Sequence, residues 1–302
     1  MEKEILLKAE SISKSFGGVK ALQNVSFELQ KGEVLSVIGE NGAGKSTLMN
    51  IVAGALKNDE GKIYFQGEEL SLHSPLDAVK TGISIVYQEP NIFADMSVLE
   101  NIFMGNETVS RGGTIQWTKM YDEAVEALRL VGLDGKILHL TMSELSIGNQ
   151  QLVLIARGIY KKCKVLILDE PTSILSHNES EKLFEIIADL KNKGVSIMYI
   201  SHRIPEILRI SDNIIVLRDG CLTGTLSPKE ISEETIITAM SGRKINMSVY
   251  KERKQSEKPI LEVKHLSLKP VYKDVSFDVR PGQILGMYGL VGAGRSEIAR
   301  AI

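Results

Sequence analysis

The chain has 302 residues, of which 43% are hydrophobic and 25% charged, and its formal net charge is -2. This length predicts about two domains, and the balanced charge excludes a chain that is basic overall, as many nucleic-acid-binding proteins are. No apolar run approaches the ~20 residues of a membrane span, and the acidic start is unlike a signal peptide, so we expect a cytosolic chain. Cys163 and Cys221 lack metal-type spacing and are expected to be reduced structural thiols.

The first segments predict strands on either side of an aromatic residue. Ile5 to Ser13 alternates loosely, and Val25 to Leu29 predicts a strand that ends at the Lys31-Gly32 turn. Phe16 lies between them among small residues, where an aromatic ring can stack on a nucleotide base. The pattern is nearly as consistent with a hydrophobic-core role for this residue.

A phosphate-binding loop pattern follows the apolar run Val34 to Ile38. Its residues are Gly39, Glu40, Asn41, Gly42, Ala43, Gly44, Lys45, Ser46 and Thr47. A buried strand, a glycine-rich turn and a helix are the context in which this pattern binds phosphate through backbone N–H groups. Lys45 would reach the β- and γ-phosphates, and the Ser46 hydroxyl would ligate Mg²⁺. A glycine-rich turn without a ligand is the alternative, and the later motifs argue against it.

A single glutamine ends the next predicted strand. The β-branched run Ile83 to Tyr87 is followed by Gln88. A polar side chain at the carboxyl end of a central strand can face a ligand, because open α/β sheets bind nucleotides there. A solvated loop glutamine is an equal alternative from the residues alone.

The region from Ser97 to Gly158 is predicted to be helical. One stripe at spacings of three and four is predicted to pack in the core, and it comprises Trp117, Met120, Tyr121, Ala124, Val125, Leu128 and Val131. A second helix begins with Leu145, Ser146, Ile147, Gly148, Asn149 and Gln150. Such a start can present free N–H groups and a hydroxyl to an anion, although alone it would be only an N-capped helix.

Two carboxylates, Asp169 and Glu170, emerge at the end of the apolar strand that starts at Val165. Burying them without partners would be costly. Downstream of a P-loop, Asp169 suits a Mg²⁺ ligand and Glu170 suits the base that orients an attacking water. Ser176 and Glu179 then form a capping box for the following helix.

A histidine, His202, follows the strand predicted from Val195 to Ile200. A lone histidine is more often structural than catalytic. A neutral imidazole at this end of a strand can also contact a γ-phosphate.

The end of the sequence repeats its beginning. After a polar linker at 244–259, the first P-loop region recurs in register, since 289 − 39 = 250. The second loop contains Gly289, Gly292, Gly294, Arg295 and Ser296. Arg295 replaces the P-loop lysine, and the preceding stretch is shortened and lacks a counterpart of Phe16. The sequence stops at Ile302, before any second copy of the later motifs.

Together these motifs resemble the ATP-binding subunits of ABC transporters, and more narrowly the twin-cassette ATPases of bacterial ribose- and galactose-type importers. The resemblance implies an α/β fold, a P-loop NTPase cassette with a mainly parallel central sheet, an N-terminal antiparallel β subdomain and an inserted α-helical subdomain. It covers a first cassette at 1–243, with the helical subdomain at about 90–158, the linker at 244–259 and an incomplete second cassette at 260–302.

Each motif acquires a role from this resemblance. By position, Gly39 to Thr47 matches Walker A, Gln88 the Q-loop, Leu145 to Gln150 the signature, Val165 to Glu170 Walker B, His202 the switch histidine and Phe16 the adenine-stacking aromatic. The implied catalytic residues are Lys45, Glu170 and His202, and the implied Mg²⁺ ligands are Ser46, Gln88 and Asp169. Ser176 stands where many cassettes carry a D-loop aspartate, and Arg295 implies a second site degenerate for hydrolysis.

The family mechanism implies partners. Cassettes pair head to tail, and each ATP lies between the Walker A of one and the signature of the other. The chain would therefore need a second cassette, from its own missing half, another chain or a second copy. ATP and Mg²⁺ are the implied cofactors. The other implied partners are membrane permease subunits at the cytoplasmic face of the cell membrane and, indirectly, a periplasmic or extracellular sugar-binding protein; no nucleic acid is expected.

Three alternatives stand beside a sugar-import ATPase. A truncated, non-hydrolysing ATP-binding module is favoured by the sequence stopping early in the second cassette. A soluble twin-cassette ATPase acting on ribosomes or nucleic acid predicts a long, strongly basic linker, whereas this linker is short and mixed in charge. A P-loop kinase would leave the signature-like helix and the Asp-Glu pair without a role.

Overall fold

The computed structural model describes residues 4–89, 91–160, 162–241, 258–289 and 292–302. The chain divides into two compact units, Met1–Ile245 and Asn246–Ile302. The predicted linker at 244–259 lies outside the described residues, except for its last two positions.

Two sheets form the β structure of the first unit. Its strands are β1 (Ile5–Phe16), β2 (Val19–Gln30), β3 (Val34–Ile38), β4 (Glu60–Phe65), β5 (Glu68–Glu69), β6 (Ile83–Val86), β7 (Val165–Asp169), β8 (Ser196–Ile200), β9 (Asn213–Arg218) and β10 (Cys221–Leu226). An antiparallel sheet has the order β2-β1-β4-β5, and a six-stranded sheet has the order β10-β9-β3-β8-β7-β6. All neighbours in the larger sheet are parallel except the edge pair β9 and β10. The predicted fold class is confirmed.

The central strands are buried on both faces. β3, β7 and β8 are buried at every position, which is why they appear in the sequence as short, nearly continuous apolar runs. Successive side chains of β7 enter different cores: Leu166 and Leu168 join one hydrophobic cluster, and Val165 and Ile167 join the other. Since β3, β6, β7, β8 and β9 are parallel, their carboxyl ends open at one edge of the sheet.

Helices complete these two cores and a third, smaller one beside β9. They are α1 (Lys45–Val52), α2 (Pro75–Thr81), α3 (Val98–Phe103), α4 (Trp117–Leu130), α5 (Ile147–Ile159), α6 (His177–Asn192), α7 (Ile204–Ile210) and α8 (Glu233–Ser241), with short 3-10 turns at Gly135–His139 and Met142–Glu144. α1 belongs to the core beneath the antiparallel sheet, whereas α3 to α6 pack on the opposite face of the parallel sheet. Among the described residues, no helix is long and apolar enough to cross a membrane.

The predicted core stripe on α4 is wrong at two positions. Trp117 is 49% exposed and Tyr121 is 46% exposed. The buried residues of this segment are Met120, Ala124, Ala127, Leu128 and Val131. At 100° per residue these five side chains lie within one arc around the helix axis. Tyr121 falls at the edge of that arc, and Trp117 is the first residue of the helix. The buried face is therefore narrower than predicted at Tyr121, whereas Trp117 lies within the same arc and is exposed at the start of the helix.

The second unit contains a hairpin and a short helix among its described residues. These are β11 (Leu261–Leu268), β12 (Tyr272–Val279) and α9 (Arg295–Arg300). Residues 283–289, the counterpart of β3, form no strand, and Tyr288 is 98% exposed. In the first unit β3 is paired on both sides by β8 and β9. No described segment of the second unit offers such neighbours.

Candidate functional site

Three glycines shape the first P-loop in two different ways. A Cβ on Gly39 would lie 2.2 Å from the carbonyl oxygen of Leu217, and one on Gly44 would lie 2.4 Å from that of Ala21. Gly42 has a φ of +83°, yet a Cβ there would meet no atom within 4 Å. The backbone therefore needs glycine at 39 and 44 for packing against β9 and β2, and only Gly42 faces open space.

The Lys45 ammonium lies across this loop. Its Nζ donates to the carbonyl oxygens of Gly39, at 2.9 Å, and Glu40, at 3.0 Å, and the residue is 7% exposed. Burial lowers the pKa of Lys45, while the charges of Glu170 and Asp169 oppose this change. A phosphate group bound by the loop would add further negative charge beside this buried cation.

Asp169 is the last residue of β7 and lies beside the P-loop. Burial raises the pKa of its carboxyl, and the charge of Glu170 adds to the effect, whereas a hydrogen bond from Ser46 and the charge of Lys45 oppose it. A carboxylate and a hydroxyl held together are oxygen ligands of the kind that Mg²⁺ takes with substrate phosphates. Ser46 and Asp169 therefore fit a Mg²⁺ site.

Glu170 lies between a histidine and a glutamine from two other strand ends. Its Oε1 is 3.1 Å from His202 Nδ1, and its Oε2 accepts from Gln88 Nε2 at 3.2 Å. A carboxylate only accepts hydrogen bonds, so this contact requires the proton on Nδ1 of the histidine. Glu170 also has a φ of +44°, an unfavourable value for a residue with a side chain, and such strain concentrates at functional positions.

One cavity of about 590 Å³ contains most of the residues predicted for the first P-loop, catalysis and Mg²⁺ binding. It is lined by Ala21, Gly39, Glu40, Asn41, Gly42, Gly44, Lys45, Ser46, Thr47, Gln88, Asp169, Glu170, His202 and Met240. The cavity lies where β3, β6, β7 and β8 end, because the loop after each of these strands supplies part of its wall. Ala21 and Met240 were not predicted, and no local pattern marks them. Ala43 is buried beneath the loop instead of lining the cavity.

Phe16 does not line this cavity. It ends β1 at a hairpin turn and is 48% exposed. The two residues before it are held by Asp59, which accepts from Lys14 Nζ at 2.6 Å and from the Ser15 N–H at 2.8 Å. The aromatic ring is thus presented at the surface on an anchored strand end.

The signature-like residues also lie outside the cavity lining. Ser146 caps α5 by accepting from the Asn149 N–H at 3.3 Å, and Gln150 Nε2 donates to the Met142 carbonyl at 2.9 Å. Leu145 immediately precedes this cap, and Ile147, the first residue of α5, is 54% exposed. The start of α5 is therefore a capped, partly exposed helix end.

Glu179 links this helix end to α6. The predicted capping box is confirmed, with Ser176 N–H and Oγ donating to Glu179 Oε2 at 2.9 and 2.7 Å. A Cβ on Gly148 would lie 2.0 Å from Glu179 Oε1. Hydrogen bonds from Ser176, and a smaller one from the Gly148 N–H, lower the pKa of Glu179 despite slight desolvation. No local pattern predicts this second contact, because the two segments are distant in sequence.

The second P-loop differs from the first at the basic residue. Gly294 has a φ of +78° and caps α9, as Gly44 caps α1. Arg295 and Ser296 are exposed, whereas Lys45 is buried and bonded to its loop. Gly292 is exposed with a φ of +83°, and Gly289 lies near the aliphatic part of the Arg295 side chain.

Comparison with known proteins decides the family. The ABC transporter family model matches residues 22–173. The chain is 42% identical over 299 residues to the ribose import ATP-binding protein RbsA of Caldanaerobacter subterraneus subsp. tengcongensis, covering 99% of this chain and 60% of the relative. The chain belongs to the ABC transporter family.

Further similarities of this ABC transporter family member agree with that assignment. It is 44% identical over 299 residues to a putative ribose/galactose/methyl galactoside import ATP-binding protein of Agrobacterium fabrum, covering 99% of this chain and 58% of the relative. A solved ATP-binding cassette of an ABC transporter in its ADP conformation has a TM-score of 0.68 at 29% identity, covering 79% of this chain and 99% of that one. The family resemblance expected from the motifs is confirmed. The chain spans about 60% of the length of these curated relatives.

Proposed function

We propose that the first unit binds ATP with Mg²⁺ and hydrolyses it. The observation that carries this proposal is the meeting of the P-loop, Asp169, Glu170, His202 and Gln88 around one cavity at the carboxyl ends of parallel strands. Nucleotide sites of open α/β sheets form at this edge. In this proposal the backbone of residues 39–47 and the Lys45 ammonium bind the phosphates.

Mg²⁺ would be held by Ser46 and Asp169, with Gln88 as the third ligand, and would neutralise charge on the phosphates. Gln88 donates to Glu170 in this structure, so its amide oxygen remains the part that can serve a metal. Phe16 is proposed to stack on the adenine from the anchored end of β1.

Hydrolysis needs a water oriented for in-line attack on the γ-phosphorus. We propose that Glu170 accepts the proton of that water as the new P–O bond forms and the bond to the β–γ bridging oxygen breaks, giving ADP and phosphate. His202, which donates from Nδ1 to Glu170, would hold the carboxylate in place. The signature residues 145–150 lie outside the cavity, and we propose that they contact ATP held by a second cassette.

Nucleotide titration tests the binding part of the proposal, and the repeat supplies a matched control. Lys45→Met should abolish Mg-ATP binding measured by isothermal titration calorimetry, because it removes the buried cation of the loop. Arg295→Met changes the equivalent residue of the second loop and should leave the affinity within about twofold of the wild type, a difference of ~0.4 kcal/mol. Equal loss in both variants, or binding retained by Lys45→Met, would place the nucleotide elsewhere.

For the whole protein we propose coupling of ATP turnover to uptake of a ribose- or galactose-like sugar. The support is the similarity to relatives described as ribose and ribose/galactose import ATP-binding proteins. The proposed partners are permease subunits, at the cytoplasmic face of the membrane, and indirectly a sugar-binding protein. We propose the division into a first cassette at 1–243, a linker at 244–259 and the start of a second cassette at 260–302, whose loop is degenerate.

A second, largely apolar groove in the first unit supports permease docking. It has a volume of about 320 Å³ and is formed mainly by α2, the β6 strand, residues 104–106 and the end of α5. Its lining is largely apolar and includes the half-buried Arg157. An apolar groove of this kind is expected for a surface that receives a partner helix.

Co-purification tests permease docking. The chain would be co-expressed with candidate ribose- and galactose-type permeases and purified in the presence and absence of ATP. Leu76→Glu, in the groove, should abolish recovery of the cognate permease, while Trp117→Glu, at an exposed apolar residue outside it, should not. Failure with all permeases in both nucleotide states would count against the transport proposal, and would leave the proposed ATP site standing.

A further inference from the structure

A buried carboxylate, Glu206, lies behind the proposed catalytic pair. The residue belongs to α7 and is 8% exposed. Its oxygens accept from Thr172 Oγ1 at 2.8 and 2.9 Å, from Tyr199 OH at 2.8 Å, from Ser201 Oγ at 3.0 Å and from Arg203 at 3.3 Å. These donors fill the acceptor capacity of one carboxylate.

Three of the donors belong to the two loops that carry the catalytic pair. Thr172 is two residues after Glu170, and Ser201 and Arg203 flank His202. The Ser201 hydroxyl also accepts from the Arg203 N–H at 3.0 Å, so the residues on either side of His202 are hydrogen-bonded to each other. The Glu206 carboxylate is therefore hydrogen-bonded to both loops.

The cost of this arrangement argues against an incidental role. A buried carboxylate is unfavourable unless it is fully paired, and a well-packed apolar residue at such a position is often as stable. Glu170 is in addition held at a φ of +44°, a conformation that persists only where the surroundings impose it. Its N–H donates to the Ile200 carbonyl at 3.0 Å, so the histidine strand already restrains its backbone.

We propose that Glu206 is a positioning residue that sets the contact between Glu170 and His202. It binds Thr172 on one side and Ser201 and Arg203 on the other, and so fixes the distance between the two loops. The functional part of this inference rests on the proposed ATP hydrolysis at Glu170. Glu206 itself is not among the residues that line the cavity.

The test compares two variants that each remove one donor to the same carboxylate. Thr172→Val releases the loop of Glu170, whereas Tyr199→Phe removes a donor that lies on β8, outside both loops. Both should lower the urea midpoint of unfolding similarly. Thr172→Val should lower kcat for Mg-ATP about 10- to 100-fold with little change in KM, since small misplacement of catalytic groups has effects of this size. Tyr199→Phe should keep kcat within about threefold, and Thr172→Ser, which retains the hydroxyl, should do so too.

A second readout does not require turnover. The ring Cε1–Hε1 NMR signal of His202, one of five histidines, is assigned by its loss in His202→Ala. In Thr172→Val this signal should move to its position in Glu170→Gln, in which the charged contact is absent, and in Tyr199→Phe it should not move. A wild-type chain without ATPase activity would contradict the proposed function and leave this readout intact. An unmoved signal in Thr172→Val, or equal kcat losses in Thr172→Val and Tyr199→Phe, would overturn the positioning role.

Discussion

Alanine substitutions at Gly42 and Gly44 should separate phosphate binding from loop packing. Both glycines have positive φ values, +83° and +98°, so each alanine costs about 1–2 kcal/mol of backbone strain. At Gly44 the new Cβ would also lie 2.4 Å from the Ala21 carbonyl and 2.8 Å from Leu22 Cδ2. Overpacking of this kind adds about 1–3 kcal/mol. Gly44→Ala should therefore be the less stable variant by about 1–3 kcal/mol.

Nucleotide affinity, in contrast, should fall more in Gly42→Ala than in Gly44→Ala. Gly42 lines the cavity and a Cβ there would meet no protein atom within 4 Å, so we expect the added methyl group to keep phosphate oxygens away from the loop N–H groups. Loss of one charge-assisted hydrogen bond costs about 1.5–3 kcal/mol, which corresponds to an affinity about 10- to 100-fold weaker.

Urea unfolding without nucleotide and titration with a fluorescent ATP analogue measure the two quantities. Gly67→Ala is the control, since this turn glycine has a φ of +84°, nothing within 4 Å of a Cβ and no place in the cavity. It should match the stability loss of Gly42→Ala and bind normally. Normal nucleotide binding by Gly42→Ala, or equal stabilities of the Gly42 and Gly44 variants, would refute the division of roles among the loop glycines.

Two further predictions concern α6 and α4. Hydrogen bonds from Ser176 lower the pKa of Glu179, so its stabilising contribution should be present above its ordinary value of 4.5 and be lost as pH falls through the lowered value. In urea unfolding measured from about pH 6 to 3, Glu179→Gln should lose that part of the pH dependence; an unchanged slope would contradict the assignment. On α4, Met120→Ala should destabilise by about 2–5 kcal/mol because Met120 is buried, whereas Trp117→Ala should stay within about 1 kcal/mol. Similar losses would contradict the exposure of Trp117 at the start of α4.

The parts of the structure that sequence alone predicted are those fixed by local pattern. Apolar runs such as Val34 to Ile38 identify strands buried on both faces, and parallel strands necessarily end at one edge. Polar residues directly after such runs, among them Asp169, Glu170 and His202, could therefore be expected near one another. The family resemblance supplied their proposed roles.

Other features depend on contacts between distant segments, which no local pattern encodes. The carboxylate of Glu206 joins two loops, Asp59 anchors the strand end of Phe16, and Met240 reaches the cavity from α8. Trp117 is exposed at the first position of α4, and the spacing of apolar residues alone does not show where the helix begins. These features could be identified only from the folded structure.

Steady-state Mg-ATP hydrolysis over a wide range of protein concentration tests the central claim most directly, with Glu170→Gln as the control. The proposed mechanism takes the signature from a second cassette, so the rate per chain should rise with concentration as chains pair. That rate should vanish in Glu170→Gln, which should still bind nucleotide. A rate that is independent of concentration and unaffected by Glu170→Gln would contradict the account.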